Sequence, residues 1–109
     1  MKLMTKEIIN KIPKLYANEG KDPKDVPIAV KFFNPTGAQS WYATEGEEVE
    51  LEDGTKDWQF FGWCDLGFGP GCSELGYFML SDLLSIRGRF GLGIERDMYF
   101  SGTLQEVMK

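Results

Sequence analysis

Near the N-terminus, Ile8, Ile9, Ile12, Leu15 and Tyr16 recur at helical spacing and make one apolar stripe. Thr5 precedes the stripe as an N-cap, because its hydroxyl can accept an amide of the first turn, and Glu7 suits the positive end of the helix dipole. Pro13 lies inside the stripe and would remove one backbone hydrogen bond, so the pattern predicts a short helix followed by a kink. Gly20 and Lys21-Asp22-Pro23-Lys24-Asp25 read as a solvated loop. The period then changes to two. Ile28–Phe33 is the first predicted strand, with Ile28, Val30 and Phe32 on one face, and Asn34-Pro35-Thr36-Gly37 turns the chain into a second strand at Ser40–Glu45. Glu48–Glu52 alternates as an exposed hairpin arm, Asp53-Gly54 is a tight turn, and Asp57–Leu66 is the next strand. After the glycine-rich loop Gly67–Gly71 come a strand at Glu74–Met79 and a short helix capped by Ser81, with Leu80 as its hydrophobic staple. Ile94–Phe100 is predicted as a final strand and Leu104–Met108 as a last helical turn.

This order predicts an α+β fold: an antiparallel sheet of about five strands, an N-terminal helix and a short helix near residues 82–87, with the helices packed on one side. The 109 residues are expected to form one domain over 1–109. Hydrophobic residues at 42% and charged residues at 27% match ordinary globular composition, which excludes wholesale disorder. Aromatic residues reach 14%, more than a small interior readily holds, so some rings are expected at the surface.

Charge placement says more than the net charge of −5. Residues 1–24 hold six Lys against Glu7, Glu19 and Asp22, a net of +3, whereas residues 45–57 hold seven carboxylates against Lys56 alone, a net of −6. An acidic chain without clustered Lys and Arg is not expected to bind nucleic acid directly. No apolar run approaches the length of a membrane span, and Met1–Glu7 lacks the apolar core of a signal peptide, so a cytoplasmic location with reduced thiols is expected.

The chain contains no histidine, which removes the usual general base near neutral pH and the commonest zinc ligand. Cys64 and Cys72 lack two further soft ligands, and Asp65 beside Cys64 works against a reactive thiolate, so both read as free structural or loop thiols. No catalytic residue, metal ligand or cofactor is assigned. Glu45, Glu47, Glu48, Glu50 and Glu52, with Trp41 and Tyr42 just before them, form a candidate partner-binding segment. In an extended strand alternate carboxylates share a face, which a basic partner can read; the competing reading is a solvated edge hairpin protected by its charge. Neither glycine-rich segment, 67–71 or 87–93, matches a phosphate-loop or dinucleotide fingerprint. Arg87, Arg89 and Arg96 nonetheless offer planar forks for an anionic ligand, with Trp63 (or Trp41 and Tyr42) to stack on a base. Glu95 and Asp97 share a strand face and suit Mg²⁺ or acid–base work; the competing reading is a structural salt bridge involving Arg96.

Several phrases carry a resemblance: Met1–Ile8, Pro13-Lys14-Leu15-Tyr16, Trp41-Tyr42-Ala43-Thr44-Glu45, Glu74-Leu75-Gly76-Tyr77-Phe78 with Ser81-Asp82-Leu83, and Ile94-Glu95-Arg96-Asp97 with Phe100. In this order they resemble a family of small bacterial proteins known only as a domain of unknown function, found on plasmids, integrative elements and phages. The segments 46–57 and 67–72 look longer here than in that family. The resemblance supplies no catalytic residue. It implies an accessory protein of a mobile genetic element, and three functions are weighed on that background. The leading expectation is a non-enzymatic protein that binds a host or element protein with a basic surface, as an inhibitor of CRISPR or restriction defence would; a homodimer is compatible with it. The second is a small-ligand binder such as a sponge for a nucleotide signal, and the third is a metal-dependent carboxylate enzyme built on Glu95 and Asp97.

Overall fold

The computed structural model describes residues 2–67, 73–97 and 99–108. Its elements are helix α1 (Lys6–Lys11), strands β1 (Val30–Phe33), β2 (Ser40–Glu50), β3 (Lys56–Asp65) and β4 (Ser73–Met79), helix α2 (Leu80–Ser85), strand β5 (Glu95–Asp97) and helix α3 (Leu104–Val107). The five strands form one antiparallel sheet in the order β4-β3-β2-β1-β5. The α+β expectation holds, with the sheet as the larger part.

Register gives the sheet two unlike faces. Val30, Phe32, Trp41, Ala43, Phe60 and Phe78 share the covered face, where Ile8 and Ile12 from the N-terminal segment and Leu83 of α2 close the main core. Phe32 and Phe60 are fully buried, their rings 5.4 Å apart, and Phe78 stacks on Phe60 at 5.3 Å. The opposite, open face carries Tyr42, Phe61, Trp63, Leu75 and Tyr77. Leu104 of α3 lies on that side, beside Phe61 and Tyr77. The helices therefore do not all pack on one side, as the sequence pattern predicts.

Local chemistry explains several boundaries. The Thr5 hydroxyl accepts the Ile8 N–H, and α1 stops at Ile12, directly before Pro13. The two predicted segments 40–45 and 48–52 are one long strand, β2, interrupted by a register shift between Ala43 and Glu45. The hairpin between β2 and β3 turns at Gly54, whose φ of 84° is a glycine conformation. Ser81 does not cap α2. The cap is Met79, and Ser81 lies within the helix, where its hydroxyl and N–H both donate to the buried Asp57. Among the described residues, the predicted strand 94–100 contributes Glu95–Asp97 to the sheet, while Thr103 caps α3 with a reciprocal Glu106 capping box. Of the loop 67–71, residues Phe68–Gly71 lie outside the described residues, as do Cys72 and Met98.

Candidate functional site

The register shift in β2 shapes the site. Thr44 is the extra residue between the Ala43–Gly62 and Glu45–Phe61 pairs, so the facing of every later residue is reversed. Glu45 and Glu47 consequently fall on the open face with Phe61, whereas Gly46, Glu48 and Glu50 fall on the covered face. Strand β1 ends its pairing with β2 at Ala43, and among the described residues no strand pairs with the edge of β2 beyond it. The N-terminal segment fills that gap. Gly46 N–H donates to the Pro13 carbonyl at 2.9 Å, and the Leu15 and Tyr16 N–H groups donate to Glu47 Oε1 at 3.1 Å and Glu45 Oε1 at 2.6 Å. The chain thus passes around the sheet edge, from the covered face to the open one.

Where that segment reaches the open face, it forms a cleft of about 270 Å³. Tyr16, Glu45, Phe61, Leu75 and Tyr77 are among its walls, with Glu19 and Lys21 also lining it. Tyr16 has φ of 70°, a left-handed conformation that costs an aromatic residue on the order of 1–2 kcal/mol. Phe61 and Tyr77 meet edge to face at 5.1 Å. The Tyr77 hydroxyl is held above its usual pKa, chiefly by its hydrogen bond with Tyr16, and the Glu45 and Glu19 charges push the same way. Leu75, Tyr77 and Tyr16 are 40%, 50% and 64% exposed. Among the described residues β4 pairs only with β3, so its outer edge carries unmatched backbone groups beside this apolar surface.

The residues singled out from the sequence are dispersed by the fold. Trp41 is a core side chain on the covered face and offers no ring to a partner, because its neighbours across the sheet place it between Phe32 and Cys64. Tyr42 lies on the opposite face, against Phe100 at 5.4 Å, with Lys31 Nζ 5.4 Å from its ring. Glu45 is buried and Glu47 is half-buried, each accepting a backbone N–H, so the five glutamates are not one row. Glu48, Glu50 and Glu52 remain exposed toward the hairpin tip, where Glu48 approaches Lys56 at 3.9 Å.

The basic and aromatic groups of the ligand alternative are likewise not together. Arg87 donates through Nη1 to the Leu84 and Ile86 carbonyls at the end of α2, and Arg96 donates to the Lys2 and Leu3 carbonyls. Both lie toward the covered side, whereas Trp63 is on the open face between Tyr42 and Leu75, so the sheet separates the forks from the ring. Arg89 follows Gly88 in the 86–94 loop, its N–H bonded to the Thr36 hydroxyl. In β5, Asp97 pairs with Lys31 at 3.8 Å across to β1. Among the described residues no group of three or more Cys, Asp or Glu is placed to hold a metal ion. Cys64 packs against the core, and burial, followed by the Glu74 charge, pushes its thiol up to about 11. No helix among the described residues is long and apolar enough to cross a membrane.

None of Tyr16, Glu19, Phe61, Leu75 and Tyr77 is among the site residues expected from the sequence. One signal was present: β3 carries Trp58 and Phe60 in one phase and Phe61 and Trp63 in the other, which marks a strand with apolar surface on both faces.

A sequence model of proteins of unknown function (DUF2958) matches residues 3–107, so the chain belongs to that family. No curated protein and no solved structure matches the chain.

Proposed function

We propose that this DUF2958 chain is a non-enzymatic binding protein that docks on another protein through the open face of its sheet, around the outer edge of β4. The observation that carries this reading is the exposed apolar surface of Leu75, Tyr77 and Tyr16 beside that edge. A partner covering it would bury aromatic and aliphatic area at the centre of an interface, where binding energy concentrates. The exposed carboxylates Glu48, Glu50, Glu52 and Asp53 at the hairpin tip add a field that favours a partner with a basic surface. The family resemblance supports the wider setting: an accessory factor of a phage, plasmid or integrative element, acting in the bacterial cytoplasm against a host defence protein.

The test is affinity capture from lysates of bacteria that carry defence systems, comparing the unaltered chain with Leu75→Lys/Tyr77→Ala and with Glu48→Lys/Glu50→Lys. A stoichiometric partner lost in the first variant and weakened in the second is expected. A partner retained by the Leu75/Tyr77 variant would refute the docking face.

A further inference from the structure

Glu45 is a carboxylate with 5% of its surface exposed, and among the described residues no Lys or Arg forms an ion pair with it. Buried charges are normally paired. Its second oxygen is only weakly bonded. Oε1 accepts the Tyr16 N–H at 2.6 Å, whereas Oε2 meets the Thr44 hydroxyl at the long distance of 3.4 Å. That hydroxyl has one proton to give and lies closer to the Phe61 carbonyl oxygen, at 3.1 Å. Oε2 therefore keeps acceptor capacity beside a cleft whose other walls include the rings of Tyr16, Phe61 and Tyr77. Among the described residues, Glu19 adds a second carboxylate to the lining, against the basic group of Lys21.

Ring faces and a carboxylate both attract cations, and a desolvated site strengthens the attraction. The volume of about 270 Å³ falls below the roughly 300–1,000 Å³ typical of small-molecule sites, which suits one side chain better than a whole nucleotide. The strained backbone of Tyr16 is explained on the same terms, since an observed outlier points toward a functional constraint. We propose that this cleft receives the guanidinium or ammonium head of a basic side chain, with Glu45 as its counter-ion and Tyr16, Phe61 and Tyr77 as its walls. The assignment rests on the open face being the docking surface and specifies what the partner inserts there.

The test is titration of the isotope-labelled full chain with N-acetyl-arginine methylamide and N-acetyl-lysine methylamide, followed by backbone amide shifts. Saturable millimolar binding centred on Tyr16, Glu45, Phe61 and Tyr77 is expected, with no response to the neutral citrulline analogue. Glu45→Gln should weaken it by about tenfold or more, as loss of a charge-assisted contact does. Tyr77→Leu, at an exposed position, should weaken it too and serves if the Glu45 variant does not fold. An equal response to the citrulline analogue, undiminished binding in the folded variants, or no saturable binding would overturn the assignment. Free agmatine and putrescine form the second arm: tighter binding of these than of the amino-acid amides places the cation in a small molecule, and the reverse places it in a protein. Partner capture that survives Glu45→Gln but not the Leu75/Tyr77 change would remove this assignment and leave the docking face standing. Cation binding by a chain that captures no partner would do the opposite.

Discussion

Asp57 and Ser81 should be energetically coupled, and the coupling can be measured. Helix α2 begins at Leu80 behind Met79, a residue whose side chain cannot accept the free amides of the first turn. Asp57, at the start of β3, supplies the missing acceptor: its Oδ1 takes the Ser81 N–H at 3.2 Å and its Oδ2 takes the Ser81 hydroxyl. Replacing Ser81 with Ala removes one hydrogen bond to a charged group, which costs about 1.5 kcal/mol given the exposure of the serine. Asp57→Ala removes that bond and the cap together, for a total of about 2.5–4 kcal/mol. In the Asp57→Ala background the hydroxyl has lost its acceptor, so the further change at Ser81 should cost almost nothing. The double mutant then departs from additivity by about 1.5 kcal/mol, well beyond the ~0.3–0.5 kcal/mol scatter of independent sites. Urea unfolding of the four proteins, read by tryptophan fluorescence and by circular dichroism, gives the cycle. Should Ser81→Ala cost the same with and without Asp57, the serine acts on its own helix and the cross-sheet contact contributes nothing.

Adjacent glycines in β3 and β4 should respond in opposite ways. A Cβ at Gly62 would lie 1.8 Å from the Tyr42 carbonyl oxygen, so Gly62→Ala should destabilise by about 3 kcal/mol in the same unfolding assay. Its partner Gly76 has open space around the corresponding position, and Gly76→Ala should be neutral or stabilising by up to about 1 kcal/mol. Cys64, held protonated up to about pH 11, should react with iodoacetamide at pH 8 far more slowly than after unfolding, as site-resolved mass spectrometry would show. Because its folded pKa is raised above the ordinary 9.0, the stability it contributes is intact below pH 9 and lost as pH rises toward 11; Cys64→Ala should remove that part of the alkaline decline. Tyr16→Gly should leave stability within about 1 kcal/mol, since relief of the left-handed strain offsets the lost ring contacts, while abolishing cation binding in the cleft.

Strand positions were legible because apolar alternation survives wherever one sheet face is covered: Val30, Phe32, Trp41 and Phe60 all report the same core. The limits came from interactions across sequence distance. Ile94–Phe100 has strand-like residues throughout, yet among the described residues its pairing with β1 is confined to Glu95–Asp97 opposite Lys31–Phe33. Ser81 carries a cap signature, but Asp57, a residue 24 positions away, moved the hydroxyl into a different role. The cleft was hidden for the same reason, since it depends on contacts between Tyr16 and Glu45, 29 residues apart.

The fate of the acidic segment follows from a single extra residue. With unbroken alternation, Glu45 and Glu47 would lie on the face of Trp41 and Ala43, inside the core, where an unpaired carboxylate costs several kcal/mol. The bulge at Thr44 turns both outward to the open face, where the N–H groups of Leu15 and Tyr16 meet them. The same reversal sends Glu48 and Glu50 to the other face, beyond the end of the hydrophobic core, where water reaches them. Two glutamates thus fasten the N-terminal segment to the sheet edge and two are left to act at longer range. A basic partner would feel the second pair within a Debye length of roughly 8–10 Å, so salt should weaken that contribution. Glu45, screened by the protein around it, should attract a cation with much less dependence on salt. A capture experiment at two ionic strengths therefore separates the hairpin tip from the cleft: under the proposed docking, salt should weaken the contribution of the tip and leave that of the cleft.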